Sequence, residues 1–195
     1  MKEILIATKN VGKLREMSKA LSELPVKVLS LTDFENLPDA VEDGKTFEDN
    51  ARIKAKFFHK LTGLACFADD SGLEVDALGG APGVQSARFA GYHADDGTNN
   101  QVLLDELKKI NVKESPADYR CALCFIDADK EILTVGKVEG TIKITPRGTG
   151  GFGYDPYFYL SNGKTMAELT PAEKDLISHR GEALRKIIPI LKELF

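Results

Sequence analysis

The apolar run Ile4 to Thr8 passes through a short polar turn into Leu14, Met17, Leu21 and Leu24, which recur at helical spacing with Gly12 in the turn. A chain that opens strand, loop, helix must bury the strand among other strands and cover it with helices, which points to an α/β layered fold. Lys27 to Leu31 predicts a second strand, and Asn36 to Lys45 an acidic, irregular loop carrying Glu42 and Asp43. Thr46 followed by Asp49 is a T-x-x-D cap, so a helix is expected over Phe47 to Leu61 with Ala51, Ala55 and Phe58 on its buried side. Leu64 to Ala68 predicts a buried strand running into the turn-like Asp69-Asp70-Ser71-Gly72.

Leu78 to Gly91 is rich in glycine and predicts a long ordered loop with no regular element, the kind of segment that is usually functional in a compact domain. Asp95 or Asp96 can cap a helix carrying Leu103, Leu104, Leu107 and Ile110. Two strands are expected at about Tyr119 to Asp127 and Ile132 to Ile144, then a glycine-rich loop from Arg147 to Pro156. Thr170-Pro171-Ala172-Glu173 combines a capping box with proline at the first helical position. A last helix carries Leu184, Ile187, Ile188 and Leu191, and Pro189 is expected to kink it or end it early. The resulting expectation is α/β, a central mixed β-sheet flanked by helices, with a smaller lobe built from the middle strands and one domain over residues 1–195.

Of the 195 residues, 26 are basic and 30 acidic, giving a formal charge of −4 with no basic run. Duplex nucleic acid is a poor partner for such a chain, because neutralising phosphates takes clustered Lys and Arg. The apolar stretches fall far short of the roughly 18 residues a membrane span requires. Met1-Lys2-Glu3 leads straight into the first strand without a signal-peptide pattern, so a cytoplasmic protein is expected. The three cysteines make a disulfide framework unexpected. Cys121 and Cys124 form a C-x-x-C, but residues three apart on a strand point to opposite faces, so the expectation is a pair of small buried hydrophobes. His59 and His93 lack any ligand spacing.

Four segments can carry chemistry. Thr8-Lys9-Asn10-Val11-Gly12-Lys13 lies between the first strand and the first helix, where free N–H groups and the helix dipole attract anions and Lys13 adds charge. It misses the Walker A pattern, since Ala7 replaces the leading glycine and Leu14 the Ser or Thr that would hold magnesium. An ordinary strand-to-helix turn would look the same. Asp69-Asp70-Ser71-Gly72 supplies carboxylates at the expected end of a buried strand, and alternation should turn only one of Asp69 and Asp70 toward a site. Glu42 is a second candidate for a hard cation. Arg147 to Pro156 pairs glycines with Phe152, Tyr154 and Asp155, which suits stacking on a base and accepting from a ring N–H. Ser178-His179-Arg180-Gly181, with Lys174 one turn earlier, offers donors to a keto oxygen or a phosphate, although such pairs are commonly solvated helix ends.

In order, T-x-N-x-x-K (Thr8, Asn10, Lys13), A-D-D-S-G-L (Ala68 to Leu73), L-G-G-x-P-G-x-x-S-A-R (Leu78 to Arg88), G-T-G-G-F-G-Y-D-P (Gly148 to Pro156) and E-K-x-x-x-S-H-R-G (Glu173 to Gly181) span the whole chain. The set resembles the inosine triphosphate pyrophosphatase family. The resemblance implies two lobes with the nucleotide cleft between them, and hydrolysis of ITP, dITP and XTP to the monophosphate and pyrophosphate with magnesium. It implies that Thr8, Lys9, Asn10, Val11, Gly12 and Lys13 hold the triphosphate, and that Lys13 balances charge on the leaving group. Asp70 would take the proton from water and ligate magnesium with Glu42, Asp69 would support it, and Ser71 would contact the substrate. Phe152, Gly153, Tyr154 and Asp155 would form the base pocket, with Phe152 stacking on the purine and Asp155 accepting from N1–H. Lys174, His179 and Arg180 would complete the base and phosphate contacts. Lys9 departs from the small residue often found there in relatives. The family implies a homodimer. Competing readings are a pyrophosphatase for other modified nucleotides and a non-catalytic nucleotide sensor.

Overall fold

The computed structural model describes residues 2–195. The chain runs β1 (Lys2–Ile6), α1 (Val11–Leu21), β2 (Val26–Ser30), α2 (Phe47–Thr62), β3 (Ala65–Val75), α3 (Asp96–Lys109), β4 (Glu114–Asp127), β5 (Lys130–Lys143), β6 (Phe158–Tyr159), α4 (Pro171–Ile177) and α5 (His179–Lys192). The strands form one sheet in the order β2-β1-β3-β4-β5-β6. β1 is parallel to β2 and β3, with Ile4 opposite Val28 and Ile6 opposite Phe67, while β5 and β6 are antiparallel, so the sheet is mixed.

The helix starts follow from local capping. Asn10, Thr46, Asp95 and Thr170 each accept a backbone N–H from three residues ahead, satisfying a donor the first turn would otherwise leave orphaned. Gly63, at φ 71°, ends α2 in the left-handed conformation that glycine adopts without a Cβ penalty.

Two compact units emerge: residues 1–70, 121–136 and 180–195, and residues 71–120 and 137–179. The first is cored by Ile4 and Ile6 of β1, Met17 and Leu21 of α1, Phe67, Leu123 and Phe125 of the central strands, and Ile187 and Leu191 of α5. The second is cored by Leu73 and Val75, Leu103 and Leu107 of α3, Tyr119, Ile142, Phe158 and Met166.

Four expectations are corrected. β3 does not stop at Ala68. It runs to Val75, so Asp69-Asp70-Ser71-Gly72 lies inside a strand rather than in a turn beyond it. The polar pair is tolerated there because neighbouring side chains compensate it, a tertiary effect that turn propensity does not register. β4 and β5 are also longer than predicted, beginning at Glu114 and Lys130. Residues 78–91 include a 3-10 helix, Gly83–Arg88, in place of uninterrupted loop. α5 continues through Pro189 to Lys192, so of the two expected effects of that proline the early end is the one overturned. Proline there removes the amide that would bond the Arg185 carbonyl, but the burial of Ile187, Ile188 and Leu191 on either side holds the turn together.

All three cysteines are free and buried, and burial pushes each thiol up to about 12. Cys121 packs with Phe67 and Leu123, whereas Cys124 lies near Cys66, as strand alternation requires. No helix among the described residues is long and apolar enough to cross a membrane.

Candidate active site

In the first unit, β1 delivers the chain to α1 through Thr8, whose Oγ1 accepts the Asn10 N–H at 3.2 Å. Asn10 then caps the helix by accepting the Lys13 N–H at 3.0 Å. Gly12 and Lys13 sit in the first turn of α1 and Val11 is exposed. Lys9 points elsewhere and pairs with Asp39 of the acidic loop. Lys13 reaches the sheet, its Nζ 2.9 Å from Asp69 Oδ2.

Alternation along β3 sends Asp69 and Asp70 to opposite faces. Asp69 is fully buried, and its Oδ2 also accepts from Arg180 Nη2 at 3.1 Å and Nε at 3.4 Å. Arg180 is itself almost fully buried and donates through Nη1 to Glu16 Oε2 at 2.7 Å. Burial alone would raise the Asp69 carboxyl, but Lys13 and Arg180 outweigh it and hold Asp69 well below the usual carboxylate range. The alternative of a solvated His-Arg helix end is excluded, because both His179 and Arg180 are buried.

Asp70 faces α2. Asn50 Nδ2 donates to its Oδ2 at 3.0 Å, and Asn50 Oδ1 accepts the Gly44 N–H at 2.8 Å, tying Asp70 to the acidic loop. Lys54, one turn further along α2, lies 2.9 Å from Glu42 Oε2 and donates to the Asp69 carbonyl at 3.0 Å. Burial pushes Asp70 up to about 6 against the pull of Lys13 and Lys54, and Glu42 adds repulsion. Lys54 stays above its ordinary value although burial opposes its charge, because Glu42, Asp69 and Asp70 surround it. Asn50 and Lys54 were missed by the sequence reading. Their signal was available: residues 47, 50, 51, 54, 55 and 58 trace one helical face, so two polar residues stand on the stripe that Ala51, Ala55 and Phe58 bury.

Among the described residues no three His, Cys, Asp or Glu side chains group into a metal cage. Asp70 and Glu42 nevertheless fit a hard divalent cation. They are oxygen donors close enough to repel one another, and magnesium typically takes one or two carboxylates with substrate oxygens and water completing its shell.

In the second unit, Asp155 is buried and accepts the Phe152 N–H at 2.9 Å and the Lys174 ammonium at 2.6 Å. Lys174 Nζ sits 4.3 Å from the centre of the Phe152 ring, so an aromatic face, a cation and a carboxylate converge. α3 pins the neighbouring peptide: the Gly153 N–H donates to Asp96 Oδ2 at 2.6 Å, and the Gly153 carbonyl accepts from Asn100 Nδ2 at 3.0 Å. Tyr154 is buried and its hydroxyl donates to the Ser86 carbonyl at 2.7 Å. Ser71 is half-buried in β3. His179 stacks on Tyr119 with ring centres 4.8 Å apart and planes 15° from parallel. Asp96, Asn100 and Tyr119 were also missed, because each belongs to an element whose local pattern is fully explained by capping, helix or strand.

The glycines of this loop carry a testable asymmetry. Gly151 has φ +73°, and a Cβ on it would lie 1.9 Å from Asp155 Oδ2, whereas Gly153 at φ +64° has open space around the same position. Gly153→Ala should carry only the backbone penalty of about 1–2 kcal/mol for a left-handed Ala. Gly151→Ala must also displace the carboxylate, so its melting temperature should fall clearly below that of Gly153→Ala. Equal melting temperatures would show that Asp155 does not occupy the space over Gly151.

The chain matches the Ham1 family over residues 4–190. It is 50% identical over 186 residues to a dITP/XTP pyrophosphatase of Geobacter sulfurreducens, covering 94% of each chain. It is 49% identical over 195 residues to a dITP/XTP pyrophosphatase of Bacillus licheniformis, covering 99% of this chain and 100% of that one. Among solved structures, a HAM1 protein from Coxiella burnetii superposes with a TM-score of 0.89 at 43% identity, covering 99% of this chain and 100% of that one. The Staphylococcus aureus Ham1 protein superposes with a TM-score of 0.86 at 36% identity over the whole of both chains. With fold and sequence agreeing along nearly its full length, the chain belongs to the Ham1 family.

Proposed function

We propose that this chain hydrolyses noncanonical purine nucleoside triphosphates, ITP, dITP and XTP, to the nucleoside monophosphate and pyrophosphate. The observation that carries this reading is the Asp69-Asp70 pair of β3, where one carboxylate is locked by Lys13 and Arg180 and the other is poised near neutrality beside Glu42. The names of the Geobacter sulfurreducens and Bacillus licheniformis relatives supply the substrate class.

The polyphosphate is held by residues 8–13, where the N–H groups at the start of α1 and the Lys13 ammonium favour negative charge. Arg180 and Glu16 act through Asp69, which sets the direction of Lys13. Asp70 accepts the proton of the water that attacks a phosphorus of the α–β anhydride, and a base with a value near 6 is matched to that task at neutral pH. Asp70 and Glu42 would hold magnesium, which when bound would supply charge neutralisation at the phosphates and a more acidic water. The bond that breaks is the anhydride P–O, and pyrophosphate leaves with its charge facing Lys13.

In the second unit, Phe152 offers a face to the purine, Asp155 accepts from N1–H and Lys174 donates toward O6. Adenine reverses that donor and acceptor pattern and leaves buried polar groups unpaired, a mismatch that can cost a factor of about 10⁴. Support for the remaining assignments, a homodimer in the cytoplasm, is the family resemblance.

Incubation of the purified protein with magnesium and ITP, dITP, XTP, GTP, ATP or dUTP tests the reading. Pyrophosphate should appear from the first three, with ATP and GTP slower by about 100-fold or more. Release of orthophosphate, or equal turnover of dUTP, would replace this assignment; tight ITP binding without turnover would make the protein a sensor.

A further inference from the structure

α3 takes no part in the proposed hydrolysis, yet two of its polar side chains reach the loop that carries Phe152 and Asp155. Capping the helix does not call for them, since Asp95 already accepts the Thr98 N–H at 2.7 Å and the Thr98 hydroxyl at 2.6 Å. Asp96 and Asn100 stand four residues apart, on one face of α3. Asp96 Oδ2 accepts the Gly153 N–H at 2.6 Å, and Asn100 Nδ2 donates to the Gly153 carbonyl at 3.0 Å. A single residue of the glycine-rich loop is thus held at both of its polar atoms. Asn100 makes that bond at a cost in stability, because its Oδ1 is buried and, among the described residues, has no hydrogen-bond partner. The helix beneath the pair is a firm support. Leu103 and Leu107 are fully buried, and Asn99, 4% exposed, accepts the Ala90 N–H at 2.9 Å and donates to the Ala87 carbonyl at 3.2 Å. The same segment holds Ser86, whose carbonyl accepts the Tyr154 hydroxyl at 2.7 Å.

We infer that Asp96 and Asn100 are positioning residues for base specificity: by clamping Gly153 they fix where Phe152 and Asp155 stand when the purine arrives. Gly153 has φ +64° and open space where a Cβ would lie, and Gly148, Gly150 and Gly151 precede it, so the backbone of this loop does little to fix its own course. The Gly153 N–H belongs to the peptide that follows Phe152, and the Gly153 carbonyl to the peptide that precedes Tyr154. Holding both planes sets the two soft dihedrals between them. The effect then passes directly to the pocket. The Phe152 N–H donates to Asp155 Oδ2 at 2.9 Å, and Lys174 Nζ bonds the same oxygen at 2.6 Å while lying 4.3 Å from the centre of the Phe152 ring. A displacement of Phe152 therefore moves the stacking face and the acceptor for N1–H together. The role is preorganisation, which reduces what must be ordered when the base binds.

The inference rests on Phe152 and Asp155 recognising the base, so Asp155→Asn is measured alongside. Asn100→Leu keeps the volume and removes the donor, and Asp96→Ala removes the acceptor; the two lie on different turns, so either carries the test if the other misfolds. KM and kcat for ITP and ATP would be measured with magnesium, together with competitive inhibition by inorganic tripolyphosphate, which carries the phosphates and no base. Asp96→Ala should raise the KM for ITP about tenfold and Asn100→Leu about fivefold, the scales of a charged and a neutral hydrogen bond. The ratio of kcat/KM for ITP to that for ATP should narrow by the same factors, and the tripolyphosphate inhibition constant should not move. Asp96→Asn, which keeps an acceptor oxygen, should recover most of the affinity lost in Asp96→Ala. Parental KM in Asp96→Ala and Asn100→Leu, beside an Asp155→Asn enzyme whose KM rises, would overturn the inference and leave base recognition by Asp155 standing. Weakening of ITP and tripolyphosphate binding in parallel would also overturn it, because α3 would then support the domain as a whole. An Asp155→Asn enzyme with parental KM for ITP would remove the base-recognition reading, and the role of the clamp with it.

Discussion

Asp70→Asn should lower turnover by about 10³-fold or more, and in chelator at pH 8 it should melt at a higher temperature than the parent. Under the proposed mechanism the activity loss follows from removing the proton acceptor and a cation ligand together. The stability gain follows from the environment of the carboxylate. Burial raises Asp70 from its usual 3.8 to about 6, with Glu42 adding to the effect, so the folded state resists the charged form. Asp70 therefore costs nothing while it is protonated in both states, below about pH 4, and destabilises increasingly as pH rises through 6. Each tenfold change in proton affinity is worth about 1.4 kcal/mol, so the penalty relieved in the Asn variant is about 2–3 kcal/mol at pH 8. Melting curves of both proteins from pH 4 to 8 should diverge upward with pH, and magnesium should raise the parent alone. Curves that stay parallel across this range would remove the account of Asp70 as a strained, functional carboxylate.

The largest loss of stability is expected from Arg180→Ala. The guanidinium is 1% exposed and bonded to Asp69 and Glu16, and truncating it leaves Asp69 buried with one cation fewer against it. Breaking a buried pair in this way costs about 3–5 kcal/mol, or roughly 6–20 °C in melting temperature for a chain of this size. The sign with pH is opposite to that of Asp70. Although burial opposes its charge, Asp69 is held below the usual carboxylate range by Lys13 and Arg180, so its contribution is present above about pH 4 and is lost as acid protonates it. The gap between parent and Arg180→Ala should accordingly be full from pH 5 to 8 and narrow below pH 4. In the double variant Asp69→Asn/Arg180→Ala the loss should be smaller than the sum of the single losses, since removing both partners leaves neither charge buried against the loss of the other. Additive losses would show that the two residues are energetically independent.

Much of the local structure is legible because its determinants lie close together along the chain. Thr46, Asp95 and Thr170 bond backbone groups three residues away, so helix starts can be read without any tertiary information. The side-chain period of two placed Asp69 and Asp70 on opposite faces and separated Cys121 from Cys124 in the same way. The ordered set of motifs was sufficient for the family.

What the sequence could not decide is governed by pairs far apart in it. Arg180 meets Asp69 across 111 residues and Glu16 across 164, and that compensation lets β3 carry two acids through its middle where turn propensity predicted a stop. The same cause moves Arg180 from a solvated helix end to a buried anchor, and brings Asn50 and Lys54 of α2 to Asp70 and Glu42. Tyr119 is the clearest case: on its strand it reads as one more buried aromatic, and only folding places Phe158 and His179 against it. By itself, then, the sequence determined the helix starts, the strand faces and the family. The tertiary structure decided which charges are compensated, because the cost of burying a charge depends on partners that only the completed fold brings within reach.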